Sequence, residues 1–191
     1  MGQYYRIVLK NRDGLVVNNR RYTGSGETSR KLTEHSYLGN YVTSSVAYAI
    51  EGRPTRVMWV GDYAEKSEIR ELTNRHLSLD RIWGDDVNLD HEFPFKGEFN
   101  YSGKFLVNHT KKFVLPYDEY MKRSGGKAVF SYTFDPLPLL TAVGNGRGGG
   151  DYHGPCEEKV GSWAWDKLEI TSEKPKGYKK FNVLFSEGSG D

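Results

Sequence analysis

Six glycines fall within residues 144–154, and Arg147, Asp151, Tyr152 and His153 are embedded among them. These residue types in a glycine-dense loop point to anion binding. Glycine lets successive backbone N–H groups converge on an anion as a nest, and an arginine adds a planar fork that suits a phosphate. Ordering such a loop costs entropy, because glycine loses more freedom on folding than any other residue. The cost is easiest to rationalise where the loop packs on another backbone or on a ligand; the other reading is a mobile surface loop. The expected ligand-binding set is Gly146, Arg147, Gly148, Gly149, Asp151, Tyr152 and His153, with Arg147 on phosphate and Tyr152 or Trp163 stacked on a base. The run also matches the dinucleotide fingerprint formally, at Gly144-x-Gly146-x-x-Gly149, with Glu169 about 20 residues further on. That fingerprint needs a helix to begin at the glycines, so that pyrophosphate meets its N-terminus. Gly150, Gly154 and Pro155 follow instead, which excludes a Rossmann reading, and no Gly-Lys-Ser/Thr supports a Walker loop.

A second constellation has acid–base character. Glu34-His35-Ser36 stands before a helical pattern, and His35 with Glu34 or Asp62 has the types for proton transfer near neutral pH. His153 beside Asp151 invites the same chemistry. A hydrolase built on His35, Asp62, Asp151 and His153 is therefore a third functional reading, set against histidines that serve only as hydrogen-bonded loop residues. Cys156 makes a poor nucleophile, since Glu157 and Glu158 follow it and oppose a thiolate. The lone cysteine also excludes a disulfide within the chain and any paired-cysteine metal site. Asp86-x-Asn88-x-Asp90 opens like a calcium loop, but His91 stands where glycine is needed and Gly97 where the bidentate glutamate belongs. No metal and no cofactor are expected. The basic segment 174–180, with Tyr178 and Phe181 interleaved, has the composition of a nucleic-acid contact. With 27 Lys and Arg against 25 Asp and Glu, a solvated turn is favoured and nucleic acid is not an expected partner. Trp59, Trp83, Trp163 and Trp165 are core or edge anchors in the simplest reading. Trp163 and Trp165 would share one face of a strand, as core or as a stacking platform.

The elements that must position these groups fit one domain of 191 residues. Tyr5, Ile7 and Leu9 alternate with Arg6, Val8 and Lys10, and Asp13-Gly14 turns the chain into Leu15-Val16-Val17 as a hairpin. Residues 18–33 read as loop or edge strand. Val42, Val46, Ala49 and Ile50 mark one face of a helix capped by Asn40 or Thr43 and ended by Gly52 and Pro54. Residues 56–60 form a buried strand, and 65–76 a helix with Ile69 and Leu72 inward. Residues 104–108 and 113–115 make a second hairpin, followed by a helical turn or two over 117–123 and a strand over 127–134. Residues 137–143 hold Pro138 and so read as an edge strand or extended segment. Residues 160–165 and 181–185 are the last strands, before a frayed tail. The expected fold is α+β, predominantly antiparallel β with two or three helices and long Gly-rich loops. The two hairpins, and an echo of Trp59 and Asp62 in Trp163 and Asp166, raise a pseudo-two-fold repeat of 4–64 in 103–167. No apolar run approaches the roughly 20 residues of a membrane span and no signal peptide opens the chain, so a cytoplasmic location is expected.

The segments Met1-Gly2-Gln3-Tyr4-Tyr5, Leu32-Thr33-Glu34-His35-Ser36 and Trp59-Val60-Gly61-Asp62-Tyr63-Ala64 resemble a group of uncharacterised bacterial and bacteriophage proteins. Asn108-His109-Thr110-Lys111-Lys112 and the block 139–152 are similar to the same group's later segments, the glycine-rich block being the most specific. With no established activity in that group, the resemblance carries over no catalytic residues. It implies a phage or prophage accessory protein acting inside a bacterium. Such proteins often counter host defence, among other ways by sequestering nucleotide signals. The first functional expectation is thus a phage-type module that binds a small phosphorylated or nucleotide-like ligand through the glycine loop. The second is a protein–protein interaction or inhibitor module without a small ligand, its partner a bacterial protein.

Overall fold

The computed structural model describes residues 2–10, 12, 14–18, 31–70, 78–83, 97–124 and 133–186. Alternation along the first strand sends side chains to two faces, and both are covered. β1 (Tyr5–Lys10) pairs antiparallel with β2 (Leu15–Asn18) on one side and with β3 (Thr55–Gly61) on the other. Tyr5, Ile7 and Leu9 enter the main core, whereas Val8 joins Met58 and Val60 in a smaller core on the opposite face. Arg6 shares that second face. Its guanidinium donates to the Ile82 carbonyl at 2.5 Å and lies 4.6 Å from the centre of the Trp83 ring.

The sheet continues through β7 (Lys167–Thr171), β4 (Phe105–Asn108), β5 (Phe113–Pro116) and the two-residue β8 (Lys179–Lys180), in the order β2-β1-β3-β7-β4-β5-β8. A further short strand, β6 (Ala142–Val143), runs parallel to the end of β3. All pairings are antiparallel except β3–β6 and β5–β8, so the fold is α+β on a mostly antiparallel sheet. The hairpins β1–β2 and β4–β5 flank the central pair β3 and β7. The tryptophan echo does not follow that arrangement: residues 57–61 are strand, while 161–165 are turns before β7.

Short helices α1 (Leu32–His35) and α3 (Leu79–Trp83) accompany the longer α2 (Tyr41–Ile50). The Asn40 side chain accepts the Val42 N–H at 2.9 Å, the cap its position in the sequence calls for. Val42, Val46 and Ile50 then pack into the main core. In α4 (Tyr117–Arg123), Asp118 and Glu119 open the helix and Lys122 and Arg123 close it, matching the helix dipole. No described helix is long and apolar enough to cross a membrane.

Three expected strands take other forms. Residues 137–143 are mostly helix: α5 (Pro136–Thr141), capped by Asp135, whose carboxylate accepts the Leu137 N–H at 3.0 Å. Prolines are tolerated in a first helical turn because the N–H groups they lack have no intrahelical acceptor there. Residues 160–165 form turns, with Trp165 at φ 61°. Trp163 consequently enters the main core and Trp165 the smaller one, so the two rings share no face. Residues 181–185 lie outside any strand, yet bury Val183 and Phe185. Ile69 is buried as its period implied, but 66–69 are turns, Arg70 is the first helical residue, and the remainder of that predicted helix lies outside the described residues. Also outside them lie Asn11 and Asp13 of the first turn, residues 19–30, the calcium-like spacing at 86–90, residues 127–132 and the tail 187–191.

Candidate functional site

The glycine loop holds an anion, and the anion is its own. The backbone N–H groups of Arg147 and Gly148 converge on Asp151 Oδ2 at 2.7 and 2.8 Å, while the Tyr5 hydroxyl donates to Asp151 Oδ1 at 2.7 Å. This is the nest geometry expected for a phosphate, with a side-chain carboxylate from four residues downstream of Arg147 in its place. Burial, then the hydrogen bond to Asp151, raises the Tyr5 hydroxyl far above its ordinary range, so it stays protonated and donates.

The rest of the loop is tied to two other chain segments. Gln3 N–H donates to the Gly149 carbonyl at 2.8 Å, and both the N–H and the hydroxyl of Thr33 reach the Gly150 carbonyl at 3.0 Å. Asn145 and Tyr152 close the base of the loop through bonds of 2.9 and 2.8 Å between side-chain amide and backbone. Two glycines are demanded by this packing. A Cβ on Gly148 would sit 2.9 Å from Gln3 N and 3.0 Å from the Tyr63 ring, and Gly144 adopts φ +94° within 3.1 Å of Ala64 N for the same added atom. The loop therefore packs closely on another backbone, one of the two circumstances that justify ordering it. Gly148→Ala is expected to destabilise the fold by about 2 kcal/mol through forced displacement of the segment around Gln3. Chemical denaturation checks this; an unchanged midpoint would mean the segment shifts freely.

The remaining predicted site residues are distributed as follows. Gly146 is at φ +89° with open space beside it. The Arg147 guanidinium is 2.5 Å from Glu68 Oε2, 2.8 Å from the Tyr63 carbonyl and 3.7 Å from Glu65. Burial works to raise the Glu68 carboxyl, but the hydrogen bond and charge of Arg147 prevail and hold it below its ordinary value. Tyr152 is buried edge-on to Phe134 and Phe185, with its hydroxyl on the Pro155 and Ser186 carbonyls at 2.7 and 3.0 Å. Trp163 is 1% exposed and packs 4.7 Å from Phe181. Neither ring offers a face to a ligand. His153 is well exposed and pairs with Glu157 at 3.0 Å, His35 meets the Lys31 carbonyl at 3.2 Å, and Asp62 accepts the Tyr4 N–H at 3.2 Å. His35, Asp62 and His153 thus have separate partners, and the hydrolase arrangement lacks its convergence. Cys156, at φ 64°, packs its thiol against the main core.

Beside the loop lies a cleft of about 660 Å³ on the smaller-core face. Gly144 and Asn145 of the loop line it, along with charged Glu68, Arg70, Lys111 and Glu157 and apolar Met58, Val143 and Trp165. Its two carboxylates have cationic or ionisable partners, Glu68 in Arg147 and Glu157 in His153. Lys111 donates to the Ser162 carbonyl and pairs with Asp166 at 2.9 Å. Sequence reasoning passed over Glu68, Arg70, Lys111 and Glu157. They come from three segments, and no local spacing joins them. Comparison with protein-family models, with curated proteins and with solved structures returned no match.

Proposed function

We propose that this protein is a binding module for a small phosphorylated or nucleotide-like ligand, taken up in the cleft beside the glycine loop rather than by the loop itself. The observation that carries the reading is a cleft of about 660 Å³ in which Lys111 and Arg70 stand beside an apolar lining of Met58, Val143 and Trp165. Small-molecule sites typically occupy some hundreds of Å³ and fix their ligand with a few placed polar groups. A lysine ammonium has three donors. Two of those on Lys111 are directed to Ser162 and Asp166, leaving one for a phosphoryl oxygen. The pairing of Glu68 and Glu157 with their own partners reduces the repulsion an anion would meet. Locked by Asp151, the loop supplies a rigid wall through Gly144 and Asn145, and Arg147 acts by holding Glu68. In the bacterial or phage setting that the resemblance implies, such binding would sequester a nucleotide signal.

The test is a thermal-shift and calorimetric screen of mononucleotides, cyclic nucleotides and sugar phosphates. At least one is expected to raise the melting temperature of the wild type. Lys111→Ala and Arg70→Ala should each weaken it by about tenfold to a hundredfold, the value of a charged hydrogen bond. Silence across the whole panel, or binding indifferent to both substitutions, would sink the reading.

A further inference from the structure

The turn between β4 and β5 carries a second cluster, and the cleft uses none of it. His109 Nε2 lies 2.7 Å from Glu169 Oε2, and His109 Nδ1 lies 3.1 Å from the Tyr178 hydroxyl. An ionised carboxylate only accepts, so Nε2 carries the hydrogen, and in the neutral ring Nδ1 is left to accept the phenolic proton. Lys112 Nζ lies 3.2 Å from the same phenolic oxygen and 5.0 Å from the ring centre. The order of groups is carboxylate, imidazole, hydroxyl, as in a nucleophilic triad, with a phenol where serine would stand and a cation beside it.

Each member is positioned by the backbone. Val107 is opposite Glu169 in the β4–β7 register, so His109, two residues on, falls on the same face as Glu169. The His109 N–H is bound to the Lys167 carbonyl at 2.8 Å, which continues that ladder. Lys112 holds the left-handed conformation at φ 59°, a cost for a residue with a Cβ, and its carbonyl accepts the Lys179 N–H at 2.9 Å, next to Tyr178. His109 and Tyr178 are half-buried and Lys112 is exposed, so the phenolic oxygen lies near solvent with its base already in contact.

We infer that Tyr178 is the nucleophile of a second site, whose substrate is an activated phosphate ester. The phenolic oxygen attacks phosphorus; the new O–P bond forms as the bond from phosphorus to the leaving oxygen breaks. The phenolic proton passes to His109 Nδ1, Glu169 stabilises the imidazolium, and the proton then goes to the leaving oxygen. Lys112 neutralises the developing phenolate and the non-bridging oxygens, and Lys179, exposed beside Tyr178, adds to the positive charge. This concentration of lysines is what selects phosphoryl over acyl groups.

The experiment incubates the full chain with the p-nitrophenyl ester of thymidine 5′-monophosphate and, in parallel, with p-nitrophenyl acetate. A stoichiometric burst of nitrophenolate is expected from the phosphodiester, with the matching mass increase mapped to Tyr178. Tyr178→Phe keeps the ring against His109 and Lys112 and should abolish both signals. His109→Gln and Glu169→Gln should slow the burst at least about a hundredfold, the usual scale for loss of a general base. Unchanged melting temperatures of these variants separate a chemical effect from misfolding. Where a variant unfolds, competition between Tyr178 and the other tyrosines within the wild-type chain decides instead. Absence of an adduct on wild-type Tyr178, an adduct rate untouched by His109→Gln, or labelling by the acetate alone would each overturn the inference. The proposal stands or falls independently of the cleft, since none of His109, Glu169, Tyr178 and Lys112 lines it.

Discussion

Asp151→Ala should lower the stability of the protein by about 3–5 kcal/mol. The substitution removes the shared acceptor of two backbone N–H groups and the buried Tyr5 hydroxyl. Each buried donor left without a partner costs about 1–3 kcal/mol, and the backbone donors regain water only in part. For a chain of this size that is a fall of about 10 °C in melting temperature. A second readout isolates the cause. With its internal anion gone, the nest becomes an anion site, so inorganic phosphate should restore part of the lost stability in the variant and none in the wild type. A loss under about 1 kcal/mol, or equal phosphate effects on both proteins, would show that Asp151 does not organise the loop.

The second large effect is on pH dependence and centres on Asp135. Its carboxylate caps α5 and accepts the Tyr101 hydroxyl at 2.8 Å and the Tyr117 hydroxyl at 3.3 Å. Burial is the dominant influence and lifts the carboxyl to about 6 from an ordinary 3.8, the hydrogen bonds recovering only part of the desolvation. A carboxyl whose pKa is raised binds its proton more tightly in the folded chain than in the unfolded one. Its contribution to stability is therefore greatest below pH 4, declines as pH rises from about 4 to about 6, and is level above. The gap between 3.8 and about 6 corresponds to about 3 kcal/mol. Asp135→Asn mimics the protonated form, so the difference in stability between the variant and the wild type should grow by about that amount between pH 4 and pH 7.5. Taking the difference cancels the opposite contribution of Glu68, whose carboxyl is held low by Arg147 despite its partial burial and favours higher pH in both proteins. Denaturant unfolding across that range gives the answer, and parallel profiles would refute the raised Asp135.

Features governed by neighbours in the chain were legible beforehand. Helix α2 announces itself by Asn40 at its cap and by the spacing of Val42, Val46 and Ile50, all within one helix length. The β4–β5 hairpin and helix α4 follow from contiguous runs with clear breaks. Residues 137–143 read as an edge strand or extended segment because a short apolar run holding Pro138 fits one, whereas Asp135 as a cap and Pro136 in the first turn, signals just as local, start helix α5. Trp163 and Trp165 were misplaced for a different reason. Their common face presumes a strand, and the positive φ of Trp165 with the bonds of Trp163 to Leu140 and of Trp165 to Val57 sends the rings to opposite cores.

The location of the unusual chemistry was written in the chain: the glycine surplus is concentrated in residues 144–154, and a nest in that loop was expected from its composition. What fills the nest was decided by the fold. Asp151 is close to Arg147 and Gly148 in sequence, but Tyr5 reaches it across 146 residues and Gln3 arrives from the same distant segment. The cleft and the His109–Glu169–Tyr178 cluster lie further still from local reading: the cleft needs β3, β6 and the segments 67–70 and 157–165 brought together, and the cluster needs β4, β7 and the segment before β8 in register. Sequence determines which groups a short stretch can present, because backbone preference and hydrogen bonding act over a few residues. Tertiary structure decides which partners satisfy them, because an anion, a cation or a proton acceptor is supplied by whatever the packed sheet brings within 3 Å.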